Sequence, residues 1–406
     1  MKENNLNKGF RSFKSLNLVH LIISIIELFF LFIFSYIIPK KKNLVIVGNY
    51  ADEYKGNSKY IFEFISSKRK KTQCIFFSSN PLVISKLEKR NLQVVHKHSL
   101  KSKWILLRAK YIFVDGSWKD VSKEQFLGRF NVINMWHGDP IKKIGFDVKD
   151  SNLYDTSFFA KLVSAFTLKQ YQKTLFFITK SAFFQKFVAS GFKNKNVKIV
   201  GYPSNDIFFN EKVQKRVKEY FDSIFSSQYS RVYFYAPTYR EDYFEPFSVK
   251  GIEKINSILK KKNSLLLIKT HPLSNSLEIN DCSNIIDISK EPYDFSELLI
   301  YCDVLISDYS GGVSDFMIQD KPVIIYNFDE KNYIANSRDL YFSLSSVIPN
   351  ELVCSTEKKL CETFENLDKM LEEKFFVKKI RESCSTFNYF KDGNSSQRIC
   401  NILKLE

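Results

Sequence analysis

Residues 301–326 read YCDVLISDYSGGVSDFMIQDKPVIIY, and the fold turns on how this stretch is read. An apolar run at 304–306 breaks at Ser307-Asp308-Tyr309-Ser310-Gly311-Gly312. A helix-like segment follows, and a second apolar run, Val323–Tyr326, closes the stretch. The order is strand, tight polar turn, helix, strand. The turn sets two serines and two glycines at a helix N-terminus, where backbone N–H groups converge and the helix dipole favours an anion. That makes it a candidate phosphate seat. The same residues also serve an ordinary βα turn, where they do no more than start a helix. This stretch alone does not separate the two.

The alternation extends in both directions. Strands are expected at 44–47, 73–77, 92–95, 111–114, 132–135, 175–178 and 197–200. Helices fall between them at 58–67, 81–89 and 101–109 and from Ser181, and a charged helix follows at 211–225. A linker is expected at 226–230. A second series begins with a strand at 232–235 and continues through a helix at 252–259, strands at 265–268 and 285–288, and a helix at 296–301. The tail, 357–405, has helical periodicity. Strands and helices alternating at this spacing predict parallel, doubly wound sheets. The expected architecture is α/β, with two Rossmann-like domains of similar build facing a cleft, at residues 43–228 and 229–406. In such sheets ligands bind beyond the carboxyl ends of the strands.

A chain of 406 residues with 44% hydrophobic content can bury two sizeable cores. The seven cysteines are scattered without a CxxC pair, which predicts a reducing cytosol and neither a disulfide frame nor a zinc site. The formal net charge of +17 suits anionic partners. Nucleic acid is disfavoured, because no zinc finger, RNP-like strand or basic-aromatic interleaving is present.

Residues 1–42 form a separate hydrophobic segment. Positions 18–38 are almost wholly apolar and are followed by Lys40-Lys41-Lys42, with no small-residue cleavage site. The polar exceptions Asn17, His20, Ser24, Glu27 and Ser35 fall along one narrow helical face. Two readings stand: a spanning helix whose stripe packs on protein, and a helix lying in the membrane interface with its basic flanks on anionic headgroups.

The polar breaks at the strand ends carry the chemistry. They are Trp136-His137-Gly138-Asp139-Pro140 with Lys142 and Lys143, then 201–206 (GYPSND), 236–240 (APTYR), 269–272 (KTHP) and the opening turn. His137 and His271 are two of only five histidines. A histidine at a strand end can take a proton near neutral pH or pair with phosphate. Each taken alone could equally be a satisfied structural histidine. There is no P-loop, no HExxH, no Asp-x-Asp and no Gly-x-Ser-x-Gly elbow. A phosphate-handling site here must use backbone amides, His, Arg and Lys, with no metal and no cofactor.

In their order, WHGDPIKKIGFD (136–147), GYPSND (201–206), APTYRED (236–242), KTHP (269–272) and SDYSGGVSDF (307–316) resemble the CDP-glycerol glycerophosphotransferase family, the teichoic-acid primases and polymerases with related capsule polymerases. The resemblance covers roughly residues 40–400. It implies a GT-B-like fold, membrane-associated at the cytoplasmic side of the cell membrane, with an N-terminal acceptor domain and a C-terminal CDP-donor domain. The implied reaction transfers a polyol phosphate from CDP-glycerol or a related CDP-polyol to a hydroxyl of an anionic polymer or lipid-linked acceptor, releasing CMP. By the same resemblance His137 is the base and His271 faces the donor pyrophosphate. Ser310, Gly311, Arg240, Arg338 and Arg398 are implied to contact the donor phosphates and Asp315 to lie near the ribose, and Lys142, Thr270, Ser307 and Asp308 are further substrate-binding candidates. Where the family is expected to read WHGTP, APTWR and DYSS, this chain has WHGDP, APTYR and DYSG. Asp139 adds a carboxylate near the base, and Gly311 removes a hydroxyl but keeps the amide. A GT-B glycosyltransferase using a nucleotide sugar and a non-catalytic membrane adaptor are the alternatives.

Overall fold

The computed structural model describes residues 18–122, 128–148, 158–225, 229–238, 240, 246–270, 282–291, 293–336 and 339–406. Thirteen short apolar runs become strands. Seven form one sheet: β1 (Lys41–Gly48), β2 (Gln73–Ser78), β3 (Val94–His96), β4 (Ala109–Val114), β5 (Val132–Asn134), β6 (Phe176–Thr179) and β7 (Val197–Ile199), in the order β3-β2-β1-β4-β5-β6-β7. Six form a second: β8 (Arg231–Tyr235), β9 (Ser264–Ile268), β10 (Ile285–Asp287), β11 (Val304–Ser307), β12 (Val323–Tyr326) and β13 (Val353–Cys354), in the order β10-β9-β8-β11-β12-β13. The strand pairings are parallel, and an isolated antiparallel bridge joins Lys142 and Leu340. The central strands are buried along their length, as in β9 and β12, because helices cover both faces of a parallel sheet.

Both orders are doubly wound. Direction reverses between β1 and β4 in the first sheet and between β8 and β11 in the second. These are the topological switch points, where open α/β sheets hold their ligands. Packing divides the chain into two compact units: Met1–Trp136 with Ala165–Phe176 and Lys404–Glu406, and His137–Ser164 with Phe177–Leu403.

The helices are α1 (Leu18–Ile37), α2 (Gly56–Lys68), α3 (Pro81–Lys89), α4 (Leu100–Arg108), α5 (Phe158–Lys173), α6 (Ala182–Phe192), α7 (Glu211–Phe225), α8 (Val249–Lys261), α9 (Phe295–Tyr301), α10 (Gly312–Phe316), α11 (Glu330–Asn336), α12 (Glu357–Glu372), α13 (Lys374–Phe387) and α14 (Ser395–Leu403). Where the sequence carries a cap the helix starts on it. Asn80 Oδ1 accepts from Leu82 N with Pro81 at the first turn of α3, and Ser99 and Thr356 cap α4 and α12. The structure adds α5, α11 and β13, which the periodicity does not predict. In α5 apolar and polar residues are spread around the whole circumference, so no stripe announces it.

Among the described residues no helix is long and apolar enough to cross a membrane. Two residues of the polar stripe of α1, Glu27 and Ser35, pack on protein together with Leu31 between them, at i, i+8 and i+4. Glu27 pairs with Lys103 on α4, Leu31 is buried, and Ser35 Oγ accepts from the Arg129 amide at 2.9 Å. Phe29, Phe30, Phe34 and Tyr36 on α1 are exposed, as are Leu100 and Trp104 on α4.

Candidate functional site

The switch point of the second sheet is built by the two motifs that leave β8 and β11. Ser307 Oγ donates to the Ala236 carbonyl at 2.6 Å, binding the two strand ends together. Asp308 Oδ1 accepts from the Thr238 amide at 2.8 Å and the Tyr309 amide at 2.6 Å. Its Oδ2 accepts from Arg240 Nη2 at 2.7 Å. The same guanidinium donates to both oxygens of Asp329, at 2.8 and 3.1 Å, and to the Thr238 carbonyl. It lies 4.2 Å from the Tyr333 ring, which stacks on Tyr309 at 4.1 Å. Burial works against the Arg240 charge. Asp329 and Asp308 more than compensate, so its proton is held more tightly than usual. The arginine fork is occupied by two carboxylates and shapes the turn.

Beyond Asp308 the chain bends into α10. Ser310 Oγ accepts from the Gly312 amide at 3.2 Å, satisfying one donor of the first helical turn. Gly311 has helical φ of −59°, so its backbone does not require glycine. A Cβ there would meet the Asp139 carbonyl oxygen at 3.7 Å and amide nitrogen at 3.8 Å, which is ordinary contact. The loop that carries His137 therefore lies directly against this turn.

A buried polar cluster joins them. Lys180, immediately after β6, places Nζ 2.6 Å from Asp139 Oδ2, 2.9 Å from Asp315 Oδ1 and 3.0 Å from Ser314 Oγ. Ser314 Oγ donates to Asp139 Oδ2 at 2.6 Å, and Asn205 Nδ2 donates to Asp315 Oδ1 at 3.1 Å. The Tyr202 ring lies 5.4 Å from the ammonium, and its hydroxyl is 3.4 Å from the Gly138 carbonyl. Burial raises the Asp139 carboxyl above its ordinary range against the pull of Lys180. Lys180 is raised too, because Asp139 and Asp315 outweigh its own burial. Burial and the nearby Asp315 thus set the direction for Asp139, and the two carboxylates set it for Lys180. The extra charge that Asp139 was expected to add beside the base is thus neutralised inside the fold.

His137 itself is exposed. It follows Trp136, whose φ of +54° is rare for a bulky residue. That conformation is held from both sides: the Trp136 amide donates to Asn134 Oδ1 and its carbonyl accepts from Asn57 Nδ2, each at 2.9 Å. At the switch point of the first sheet, Asp115 Oδ2 accepts from Asn49 Nδ2 at 3.1 Å and the Ser58 amide at 3.0 Å. Burial pushes Asp115 up to about 8, with Asp120 adding to it, and burial pushes Asp120 up to about 6.

The remaining candidates are placed as follows. Thr270 is buried and exchanges bonds with Ser289 at the end of β10. Lys142 bridges Leu340 and sets its ammonium 5.0 Å from the Tyr333 ring. Arg398 pairs with Asp392, donates to the Val200 carbonyl and lies over Phe390, away from the turn's own contacts. His271 and Arg338 lie outside the described residues. In the 201–206 motif, Gly201 has φ of +85° and a Cβ there would strike Ser395 Oγ, while Asp206 accepts from the Ser395 and Ser396 amides that open α14. Among the described residues no group of three or more His, Cys, Asp or Glu is placed to hold a metal ion. The residues that sequence reasoning missed are Lys180, Asp329 and Asp115. Two of them carried a signal, since Asp115 directly follows an apolar run and Lys180 follows one after a single threonine, Thr179.

The chain has relatives among known proteins. The chain is 24% identical over 383 residues to a teichoic acid poly(glycerol phosphate) polymerase of Bacillus spizizenii (strain ATCC 23059 / NRRL B-14472 / W23), covering 89% of this chain and 92% of that protein. It is 25% identical to the teichoic acid ribitol-phosphate polymerase TarK of Staphylococcus aureus (strain NCTC 8325 / PS 47), over 89% of this chain and 68% of that one. Among solved structures it resembles the wall teichoic acid polymerase TagF with a TM-score of 0.71 at 21% identity, covering 90% of this chain and 89% of that chain. That likeness establishes the fold as two parallel α/β domains of the GT-B type. The family described as CDP-Glycerol:Poly(glycerophosphate) glycerophosphotransferase matches residues 30–405, and the chain belongs to that family.

Proposed function

We propose that this enzyme moves a polyol phosphate from a CDP-linked donor to an acceptor hydroxyl, releasing CMP, in the synthesis of a teichoic-acid-like or capsular polymer. The observation that carries the proposal is the contact between the Ser310–Gly311 turn at the β11 switch point and the loop bearing His137. A phosphate-binding turn and a titratable, exposed side chain on adjoining loops are what in-line phosphoryl transfer needs. His137 takes the proton of the acceptor hydroxyl. The acceptor oxygen then bonds to the β-phosphorus, the bridging P–O bond breaks, and its electrons leave with CMP. Backbone amides of the turn, with Ser310, hold the donor phosphates, and Lys142, Thr270, His271, Arg338 and Arg398 are proposed to complete the donor contacts. Arg240, Ser307 and Asp308 shape the turn from behind, and Asp315 is proposed to lie toward the ribose. Residues 43–228 are proposed as the acceptor domain and 229–406 as the donor domain. The separation of the two sheets into 41–199 and 231–354 supports that division.

The exposed aromatic face of α1, with Leu100, Trp104 and the lysines at 40–42 nearby in sequence or structure, suits a helix lying in the interface of an anionic membrane. The cytoplasmic face of the cell membrane is the proposed location, and a net charge of +17 suits an anionic polymer or lipid-linked acceptor. CMP release from CDP-glycerol and CDP-ribitol, set against nucleotide release from UDP- and GDP-sugars, tests the reading. His137→Ala is expected to lower turnover at least about a hundredfold. Turnover of a nucleotide sugar alone, or a folded His137→Ala protein with wild-type activity, refutes it.

A further inference from the structure

We propose that Asp139 and Lys180 are a positioning pair for the transfer, locking the His137 loop onto the Ser310–Asp315 turn. The proposal rests on His137 being the base. Asp139 stands two residues after His137 and its side chain is wholly buried. A single oxygen, Oδ2, accepts from both Lys180 Nζ and Ser314 Oγ at 2.6 Å. Its backbone faces Gly311. One carboxylate therefore ties the histidine loop to α10, and Lys180 ties both to the end of β6 while also holding Asp315 at 2.9 Å. The residue between, Gly138, is held through its carbonyl by Tyr202.

A buried carboxylate is tolerated only when it is paired, and a buried lysine likewise. A threonine at position 139, expected from the family resemblance, would leave Asp315 as the carboxylate partner of Lys180. In this chain the two residues are matched, and the match fixes the segment that presents His137. Misplacing a reacting group by about 1 Å costs on the order of a hundredfold in rate, so the pair acts on turnover more than on donor affinity.

The test compares Asp139→Ala with Asp139→Asn in the full chain. Asparagine can set its carbonyl oxygen where Oδ2 stands and keep both contacts, whereas alanine keeps neither. Asp139→Ala is expected to lower kcat for CMP release by at least about tenfold, with donor KM within about threefold, and Asp139→Asn to recover most of that loss. If Asp139→Ala does not fold, Ser314→Ala removes one of the two bonds and carries the same comparison. A second readout needs no turnover: the rate at which diethyl pyrocarbonate modifies His137, followed by peptide mass spectrometry. It is expected to change in Asp139→Ala and to stay at the wild-type rate in Asp139→Asn. Unchanged kcat with unchanged His137 reactivity in folded Asp139→Ala overturns the pair, as does a loss seen only in thermal stability. Wild-type protein that turns over no CDP-polyol refutes the functional reading instead, and His137 reactivity then decides on the pair by itself.

Discussion

Arg240 decides whether the second switch point is a rigid wall or a cationic seat, and Arg240→Ala separates the two. In the structure its side chain is 10% exposed and faces Asp308 and Asp329, at 3% and 15%. Removing the guanidinium leaves two nearly buried carboxylates without a cation. Breaking a buried pair by deleting one partner costs about 3–5 kcal/mol, because the remaining charge is uncompensated. At about 2–4 °C per kcal/mol for a domain of this size, the unfolding transition should fall by on the order of 10 °C. Calorimetry of wild type, Arg240→Ala and the triple variant Arg240→Met/Asp308→Asn/Asp329→Asn measures this directly. The triple variant should regain much of the loss, since it removes the stranded charges along with the cation. Arg240→Lys should not rescue, because an ammonium cannot reproduce the fork to Asp329. An unchanged transition in Arg240→Ala with a sharply raised donor KM would refute the reasoning and put the guanidinium on the donor phosphates.

Three further outcomes are expected. Asp115 and Asp120 hold protons when folded that they lose when unfolded, between the ordinary aspartate value of about 3.9 and the raised values of about 8 and about 6. Their contribution to stability is therefore complete at acid pH and is lost as pH rises through those values. Asp115→Asn, which can present its carbonyl oxygen to Asn49 and Ser58, should flatten the fall in melting temperature between about pH 6 and about pH 8. Parallel curves for the two proteins would count against a buried proton at Asp115. Gly311→Ser should fold normally and keep turnover within about threefold, because φ is helical and a Cβ meets only ordinary contacts; collapse of donor binding would show that the amide needs open space. Deleting residues 1–39 should free the protein from anionic vesicles at moderate salt, and continued sedimentation would move the anchor elsewhere.

The elements that were legible in the sequence are those with a local cause. Residues 81–89 have a capping Asn80, Pro81 and a lysine-rich end, and the helix occupies those bounds. Residues 211–225 and 323–326 likewise carry an amphipathic stripe and an unbroken apolar run. What failed was patterned by tertiary contact. Helix α5 has no stripe, and β13 is two residues long and pairs with β12 far from it in sequence. The site divides in the same way. Polar breaks at strand ends are visible locally, so Ser307, Asp308 and the turn were found. Their partners are not local: Lys180 meets Ser314 and Asp315 across 134 and 135 residues, and Arg240 meets Asp329 across 89.

The two switch points show why a matching strand order does not make matching sites. Each sheet ends its fourth strand in sequence position with a buried aspartate that accepts a backbone amide, Asp115 from Ser58 and Asp308 from Thr238. Around Asp115 an amide side chain and a backbone amide supply hydrogen bonds, and burial drives the carboxyl toward its neutral form. Around Asp308 an arginine fork pairs with it and with a second carboxylate, Asp329. A neutral, hydrogen-bonding strand end suits a hydroxyl, whereas fixed charges and a preorganised turn suit a phosphate, since they cost no reorganisation when charge develops. The topology sets both ends in equivalent positions within their own sheets. The difference between the proposed acceptor and donor domains then comes down to which side chains the connecting loops bring to the aspartate.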